Sequence, residues 1–283
     1  MTVVGVLHPG SMGAAVAAQA RGNGAEVLWC PAGRSSATKE RAQRHGLTAA
    51  SDLGELTEQA DVILSICPPA YAKDVAVEVS AHSFTGIYVD GNAISPASMA
   101  RIHAVVSRTG ATVVDGSLIG SPPSASKSTR LYLSGPADAL TPVASLFTGT
   151  AVQAHPLPGG IGPASALKLS YSSYQKASRV LAAVSYALAR DYGVEGELLD
   201  IAQGRTTNYL AETAYIPKVA ARSWRWGPEM GEVADTLREA GLPADLAEAS
   251  AAVMSRWDDL RDSSLGTPEA LDHLHDSPDD EPG

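Results

Sequence analysis

The sequence predicts an α/β fold in which a doubly wound parallel sheet is followed by a long helix and an all-helical domain. Two observations carry this prediction. In the first half of the chain, short apolar runs alternate with alanine-rich segments of helical periodicity, which is typical of strand–helix–strand units. Residues 162–192 then form one long periodic stretch, and only helical patterns follow it.

The predicted sheet is built from short apolar runs, and continuous runs of this kind are typical of strands buried on both faces. Strands are predicted at 2–7, 26–30, 61–66, 86–90, 112–115 and 130–134. Helices are predicted between them at 11–21, 36–45, 70–81, 96–108 and 137–147. We therefore expect one α/β domain over residues 1–157.

The second part begins with a helix at 162–192 that would be about 45 Å long. Further helices are predicted at 195–203, 206–220, 228–240 and 244–262. We expect an all-helical substrate and dimerisation domain at 158–263, and an acidic, proline-bearing tail at 264–283 that is disordered. The long helix has too much apolar surface to stand alone, so a homodimer with interleaved helical domains is expected.

Composition excludes several classes of partner. The chain has 283 residues and a formal net charge of −10, which argues against a nucleic-acid binder. Met1 leads directly into a strand, and no run approaches the roughly 18 apolar residues of a membrane span, so neither a signal peptide nor a membrane partner is expected. Cys30 and Cys67 lie in apolar runs and predict free thiols in a reducing cytoplasm. No metal site is predicted.

The opening segment "VVGVLHPGSMG" has the order of strand, phosphate loop and helix found in a dinucleotide-binding unit. A G-x-G-x-x-G motif would place glycine at positions 8, 10 and 13, but position 8 is His8. Gly10 would let the backbone approach a pyrophosphate, and Gly13 would let the helix pack closely on the strand. Alternatively, two glycines at such a turn serve packing alone. The residues expected to bind the cofactor here are His8, Pro9, Gly10, Ser11, Met12 and Gly13, with the imidazole of His8 near the cofactor or the substrate.

The second strand ends without the acidic residue that binds the ribose 2′-OH of NAD. In "CPAGRSSATKER", Cys30 to Arg41, the first acid is Glu40. A guanidinium with adjacent hydroxyls instead suits a 2′-phosphate, so we expect NADP as cofactor. The alternative is a solvated turn with a serine as helix N-cap. The residues expected around the 2′-phosphate are Arg34, Ser35, Ser36 and Lys39.

Three later strand ends carry turns that would border the ligands, because ligands of open α/β sheets bind outside the carboxyl ends of the strands. "SICPPAY" and "VDGNAISP" would border the cofactor through Cys67, Pro68, Pro69 and Asn92. Asn92 has the alternative of a turn residue or helix cap. "DGSLIGSPP", Asp115 to Pro123, is predicted as a rigid loop whose Ser117 and Ser121 donate to a substrate or serve as turn residues.

The long helix carries the catalytic candidate Lys168 about two turns from its start. Tyr171 and Ser172 follow at spacings of three and four, so they share its helix face. A carbonyl that accepts a hydride develops charge on oxygen, which an ammonium group can stabilise and protonate. The alternative is a surface lysine whose stem packs on apolar side chains.

The ordered set "GVLHPGSMG", "GRSSATK", "VDGNAISP", "DGSLIGSPP", "ALKLSYSSYQK" and "RWGPEM" resembles the β-hydroxyacid dehydrogenase superfamily. This superfamily includes 3-hydroxyisobutyrate dehydrogenase, 6-phosphogluconate dehydrogenase and the imine reductases. The sequence is most similar to a branch with an uncharacterised phosphogluconate-dehydrogenase-type C-terminal domain. The resemblance implies a Rossmann domain, a long interdomain helix and an all-helical domain that forms the dimer.

The resemblance also implies site residues. Lys168 occupies the position of the general acid/base lysine, while Tyr171 and Ser172 replace the paired asparagines of the family motif. Ile119, next to Gly120, stands where the substrate-loop serine is usual, and the late Lys–Asp pair falls near Pro228 and Glu229. The carboxylate-binding groups of the family are therefore largely missing. The substrate contacts expected on this basis are Ser117, Ile119, Gly120, Ser172, Trp226, Glu229 and Met230.

Three functions follow. The first is an NADPH-dependent reductase of a carbonyl on a specialised small molecule, with Lys168 as general acid. The second is an imine reductase in which Tyr171 supplies the proton, although relatives of that kind usually have Asp or Tyr at the position of Lys168. The third is a non-catalytic NADP-binding sensor or partner protein.

Overall fold

The computed structural model describes residues 1–204, 209 and 212–275. The chain divides into two compact units, one covering Met1–Ser172 and the other beginning at Ser173. The first unit is an α/β sheet with its helices, and the described residues of the second unit form helices only.

One eight-stranded sheet runs through the first unit in the order β3-β2-β1-β4-β5-β6-β7-β8. Its strands are β1 (Val3–Val6), β2 (Glu26–Trp29), β3 (Thr48–Ala49), β4 (Val62–Ser65), β5 (Ile87–Asp90), β6 (Thr112–Ser124), β7 (Lys127–Ser134) and β8 (Val152–Pro156). Every neighbouring pair is parallel except β6 and β7, which are antiparallel. The predicted doubly wound, mostly parallel sheet is confirmed.

Helices cover both faces of the sheet, because successive side chains of a strand point to opposite sides. In β2, for example, Val27 and Trp29 join the core on one face and Leu28 joins the core on the other. The helices of this unit are α1 (Ser11–Gly22), α2 (Ser36–Arg44), α3 (Leu53–Gln59), α4 (Ala72–Ala81), α5 (Pro96–Val106) and α6 (Ala137–Ser145).

The predicted long helix is confirmed as α7 (Pro163–Asp191), 29 residues long. It begins in the first unit, and from Ser173 it belongs to the second. Part of the helix predicted at 206–220 lies outside the described residues. The other helices of the second unit are α8 (Glu195–Gln203), α9 (Ile216–Ala220), α10 (Ser223–Glu239), α11 (Asp245–Ser255) and α12 (Thr267–Asp272).

The expected rigid loop at Asp115 to Pro123 is wrong. These residues continue β6, which pairs with β7 through a turn between Ser124 and Lys127. Pro122 and Pro123 are tolerated because the register shifts between Gly120 and Ser124, which interrupts the regular pairing there. Three short elements, β3, α3 and β8, were not predicted.

The expected disordered tail from residue 264 also needs correction. Residues Thr267–Asp272 form α12, whose Ala270 is fully buried and accepts a hydrogen bond from the Trp257 indole (2.8 Å). Residues 276–283 of that tail lie outside the described residues. Among the helices that are described, none is long and apolar enough to cross a membrane.

Candidate cofactor cleft and active site

The turn between β1 and α1 brings the backbone of His8 against the start of the helix. The Gly10 N–H donates to the His8 carbonyl (2.7 Å), and a Cβ added to Gly13 would lie 2.4 Å from that same carbonyl oxygen. The turn is therefore incompatible with any side chain at position 13. Position 8 is different, because His8 does not have a positive φ and its backbone accepts a side chain.

A cleft of about 460 Å³ opens beside this turn, at the carboxyl ends of β1, β2 and β4. This is the edge at which open α/β sheets bind ligands, and the first-turn N–H groups of α1 have no partner within the helix. None of the residues lining the cleft is acidic. They are His8, Gly10, Ser11, Met12, Gly13, Gly33, Arg34, Ser35, Thr38, Ile66, Cys67 and Pro68.

Five residues predicted for the cofactor lie outside this lining. Ser36 and Lys39 are exposed on α2, and Pro69 is exposed at the start of a short 3₁₀ helix. Pro9 lies in the turn, where its carbonyl accepts from Arg41 Nη1 (3.1 Å). Asn92 is buried behind the cleft.

Sequence analysis missed three residues of the lining and one residue that supports it. Gly33, Thr38 and Ile66 line the cleft, and Arg41 holds the turn through Pro9. The sequence does contain a signal for Thr38 and Arg41. Thr38 and Arg41 are three residues apart on a helix, so they share the face that meets the β1–α1 turn.

Ser35 serves α2 as its N-cap, as the structural alternative predicted. Its hydroxyl accepts from the Thr38 N–H (3.3 Å) and lies 3.1 Å from the Thr38 hydroxyl. Both serve as walls of the cleft as well. The side chain of Arg34 lines the cleft beside them, and its Nε is buried with no hydrogen-bond partner in the described part of the chain.

Two titratable side chains of the cleft are neutral at neutral pH. Burial, together with the nearby Arg34 guanidinium, lowers the pKa of His8 to about 4. Burial and, to a smaller extent, Asp90 raise the pKa of the Cys67 thiol to about 11. Arg34 is therefore the principal charge among the side chains that line the cleft.

Asn92 ties the ends of two strands together. Its Oδ1 accepts from the Cys67 N–H after β4 (2.6 Å), and its Nδ2 donates to the Ser65 hydroxyl (3.3 Å). Its own N–H donates to Asp90 Oδ1 (3.0 Å). Asn92 thus fixes the turn that brings Cys67 to the cleft wall.

Asp90 gives a pH-dependent test of this buried network. Burial raises its pKa to about 7, against the hydrogen bonds from Asn92 and with a further rise from Asp115 on the neighbouring strand. Its folded pKa therefore exceeds its unfolded pKa, so stability falls as the pH rises from about 4 to 7. We expect Asp90→Asn to flatten this slope and to be the more stable protein at pH 8 in urea unfolding. An unchanged slope between pH 5 and 8 would show that Asp90 does not titrate in this range.

The start of α7 is fixed by the fully buried carboxylate of Asp115 on β6. Asp115 Oδ2 accepts from the N–H groups of Gly162 and Ser165 (both 3.0 Å), and Oδ1 accepts from the Ser165 hydroxyl (2.6 Å). Ser134 adds a hydrogen bond from β7 (3.2 Å). A carboxylate at a helix N-terminus is favourable because free N–H groups and the helix dipole meet it there.

Lys168 is consequently held against β6. Its ammonium Nζ donates to the Leu118 carbonyl (2.6 Å), and the side chain is half-buried. Because Asp115 pairs with Asp90, the last residue of β5, Leu118 lies three residues beyond the carboxyl end of β5. Lys168 is therefore anchored beyond the same edge of the sheet as the cleft.

The other predicted substrate residues are distributed over both units. Ser117 is fully buried, and its hydroxyl donates to the Ala164 carbonyl (2.7 Å), so β6 presents Ile119 and the exposed Gly120 beyond it. Tyr171, 36% exposed, and Ser172 follow Lys168 on α7. Trp226, Glu229 and Met230 belong to α10 of the second unit, and their substrate role stays a prediction.

Fold and cleft together define an NAD(P)-binding scaffold of the dehydrogenase type. Residues 3–157 match the family model described as the NAD binding domain of 6-phosphogluconate dehydrogenase, and the chain belongs to this family. Residues 189–257 match a domain of unknown function, DUF1932. The predicted superfamily and its uncharacterised C-terminal branch are thus confirmed.

Two proteins similar to this chain are of unknown function. An uncharacterised 28.5 kDa protein encoded in a 7S RNA 5′ region of Methanothermus fervidus is 28% identical over 176 residues, which are 62% of this chain and 66% of that protein. The solved structure of a conserved protein of unknown function, described as similar to 3-hydroxyacid dehydrogenases, is 25% identical with a TM-score of 0.60. The alignment covers 97% of this chain and 100% of that one.

An enzyme of known activity shares the fold. The reductive aminase from Aspergillus terreus, solved in complex with NADPH and ethyl levulinate, is 16% identical with a TM-score of 0.75. The alignment covers 97% of this chain and 100% of the aminase. At this identity the likeness concerns the fold alone.

Proposed function

We propose that this protein is an NADPH-dependent oxidoreductase that reduces the carbonyl of a specialised small molecule, with Lys168 as general acid. The observation that carries the proposal is the ammonium of Lys168. It is half-buried, anchored 2.6 Å from the Leu118 carbonyl, and lies beyond the edge of the sheet at which the cleft opens. Such a group is placed to act where a carbonyl oxygen gains charge.

The residues of the cleft fit a dinucleotide that carries a 2′-phosphate. A Cβ at Gly13 would fill the turn, the first-turn N–H groups of α1 are available to a pyrophosphate, and Arg34 Nε is buried without a partner among the described residues. The cleft lining contains no acidic residue, and an acidic residue is what binds the free ribose 2′-OH of NAD. We therefore propose NADP rather than NAD as the cofactor, and a cytoplasmic reaction because both cysteines are free thiols.

In the proposed mechanism the bound cofactor supplies the hydride, and the protein supplies position and proton. Arg34 and the α1 N-terminus hold the two phosphate regions, while Asn92 and Cys67 shape the wall between β4 and β5. Lys168 Nζ keeps one N–H on Leu118 and directs another to the carbonyl oxygen of the substrate. It stabilises the developing alkoxide and then donates its proton.

The substrate pocket proposed next to Lys168 is poor in carboxylate-binding groups. Ile119 is apolar, Gly120 has no side chain, and Tyr171 offers a ring with a hydroxyl. Ser172, four residues after Lys168, adds a small hydroxyl on the same helix face. We infer a substrate that presents an apolar or aromatic body rather than a small hydroxyacid.

Imine reduction is the second candidate, and Tyr171 favours it. Its side chain is 36% exposed and follows Lys168 by three residues, close to one helical turn. A phenol at this place can donate a proton to the nitrogen of an imine as the imine carbon accepts the hydride. A non-catalytic NADP-binding role is the remaining alternative.

One experiment separates these functions. NADPH oxidation is followed at pH 7 with parallel panels of aryl ketones, aldehydes and cyclic imines, at matched concentrations and with a no-enzyme control. We expect turnover of ketones or aldehydes. Turnover of imines alone would assign the second function, and tight NADPH binding without oxidation across all panels would assign the non-catalytic role.

We also propose a homodimer, carried by an apolar groove of about 540 Å³ in the second unit. The groove is formed by α7, α8, α10 and α11, and Leu181, Tyr192 and Ile201 on its walls are 46%, 62% and 71% exposed. Exposed apolar surface of this kind marks an interface, and a two-fold dimer would bury the same surface on both copies. Light scattering coupled to size exclusion should give twice the mass of one chain. A monomer mass at micromolar concentration would contradict the proposal.

A further inference from the structure

His8 occupies the position at which dinucleotide-binding loops usually carry glycine, and its imidazole shares its surroundings with Arg34. Both side chains line the cleft, and both line a second cavity of about 210 Å³ beside it. The guanidinium contributes to the lowered pKa of His8, which is a sign of their proximity. The backbone φ of His8 is not positive, so the histidine is accommodated without strain.

Each of these two side chains has a buried nitrogen that lacks a hydrogen-bond partner within residues 1–204, 209 and 212–275. The atoms are Nδ1 of His8 and Nε of Arg34. Buried polar atoms without a partner are rare in folded proteins, and each calls for an explanation. Both residues line the same cleft, so a ligand bound there is the natural source of acceptors for the two nitrogens.

The other titratable groups around His8 do not provide that acceptor. Cys67 lines the cleft as a neutral thiol, and Cys30, Asp52 and Glu78 line the smaller cavity. The pairing at Nδ1 is absent although these groups are present in the structure. Within the described part of the chain no acceptor reaches Nδ1, which leaves a ligand in the cleft as the acceptor considered next.

We propose that His8 is a second ligand of the cofactor's 2′-phosphate, with its Nδ1–H donating to a phosphate oxygen next to the Arg34 guanidinium. The inference rests on the proposed choice of NADP. A neutral imidazole carries a hydrogen on one of its two nitrogens, so the Nδ1–H tautomer can donate without being charged. The replacement of glycine by histidine then determines cofactor specificity.

Position within the cleft favours the 2′-phosphate over the pyrophosphate. In this fold the pyrophosphate meets the helix N-terminus, here Gly10 to Gly13, while the ribose 2′ position lies by the end of the second strand. Arg34 follows that second strand, and His8 precedes the helix. Because His8 and Arg34 line the same two cavities, we place the imidazole with Arg34 on the 2′ side of the adenosine.

The test measures binding rather than activity. The full chain is titrated calorimetrically with 2′,5′-ADP and with 5′-ADP, which differ only in the 2′-phosphate, and then with NADP and NAD. We expect His8→Ala to weaken 2′,5′-ADP about tenfold, as the loss of a hydrogen bond to a charged group would, and to change 5′-ADP less than about twofold. His8→Asn, which keeps an amide donor, should recover most of the loss. His103→Ala, an exposed histidine on α5, is the matched control.

The outcomes separate this inference from the proposed cofactor choice. If Arg34→Ala weakens 2′,5′-ADP and His8→Ala does not, NADP stands and the role of His8 is overturned. If His8→Ala weakens the binding of 2′,5′-ADP and 5′-ADP equally, the imidazole stabilises the turn or contacts the adenosine instead of the 2′-phosphate. The inference is then overturned as well. If the wild-type chain binds NAD as tightly as NADP, the cofactor choice itself fails. Thermal unfolding of each variant checks that it folds.

Discussion

Replacing Lys168 by alanine is expected to lower kcat by about 10²–10⁴-fold, the usual contribution of general acid catalysis. The Kd for NADPH should stay within about twofold of wild type, because Lys168 is not among the residues that line the cofactor cleft. The measurement is steady-state turnover of the best substrate from the panel, together with a fluorescence titration of NADPH. A selective loss of kcat is the result that places the ammonium at the reacting atoms.

Two companion variants sharpen this result. Lys168→Arg keeps the positive charge but gives up a proton far less readily, so it should restore part of the charge stabilisation and little of the proton transfer. Lys176→Ala, an exposed lysine on the same helix, should turn over as wild type does. The hydrogen bond to Leu118 is worth roughly 1 kcal/mol of stability, so unfolding curves are recorded alongside. Unchanged turnover in Lys168→Ala would remove Lys168 from the mechanism.

The sequence predicts the parallel core of this fold well because local pattern and tertiary position agree there. The runs at 2–7, 61–66 and 86–90 are mostly apolar, and the strands they predict are buried on both faces. Prediction fails where a strand is exposed. Residues 116–124 of β6 contain two glycines and two prolines, which do not predict a strand. They form one because β7 lies antiparallel beside them and pairs with them.

The site is predicted less completely than the fold because its key contacts span long distances in sequence. The sequence pattern marks Asp115 only as the start of a predicted loop, whereas the residue caps a helix that begins 48 residues later. Ser117 is predicted as a substrate contact or a turn residue, but its hydroxyl donates to the Ala164 carbonyl. No periodicity in the sequence encodes such pairings. These pairings arise because the start of α7 packs against β6 in the folded protein.

The cofactor loop shows the opposite case, in which a departure from a motif is informative. Its first glycine is replaced by His8, and the structure gives the physical reason that this is tolerated, since only position 13 lacks room for a side chain. A motif comparison asks for glycine at three positions, whereas the structure of this turn excludes a Cβ only at position 13. Gly10 and Gly13 can therefore be given different roles, and mutation can separate them.

Adding one methyl group is expected to lower the stability of the protein at Gly13 and to weaken cofactor binding at Gly10. Gly13→Ala places a Cβ 2.4 Å from the backbone oxygen of His8, so the turn or α1 must shift. Overpacking of this kind costs about 1–3 kcal/mol or more, and each kcal/mol lowers Tm by roughly 2–4 °C in a chain of this size. At Gly10 the added Cβ meets only the His8 oxygen at 4.0 Å, and the backbone (φ −66°, ψ −171°) suits alanine.

Gly10→Ala should therefore unfold at the temperature of the wild type yet bind NADPH about 100-fold more weakly, because the methyl group stands where the pyrophosphate approaches the backbone. Calorimetric unfolding and NADPH titration of both variants make the comparison, with Gly22→Ala, whose Cβ would meet nothing within 4 Å, as the control. If Gly10→Ala binds NADPH normally, the pyrophosphate does not lie at the start of α1. In that case the two glycines serve packing alone, and the cleft beside them holds some other ligand.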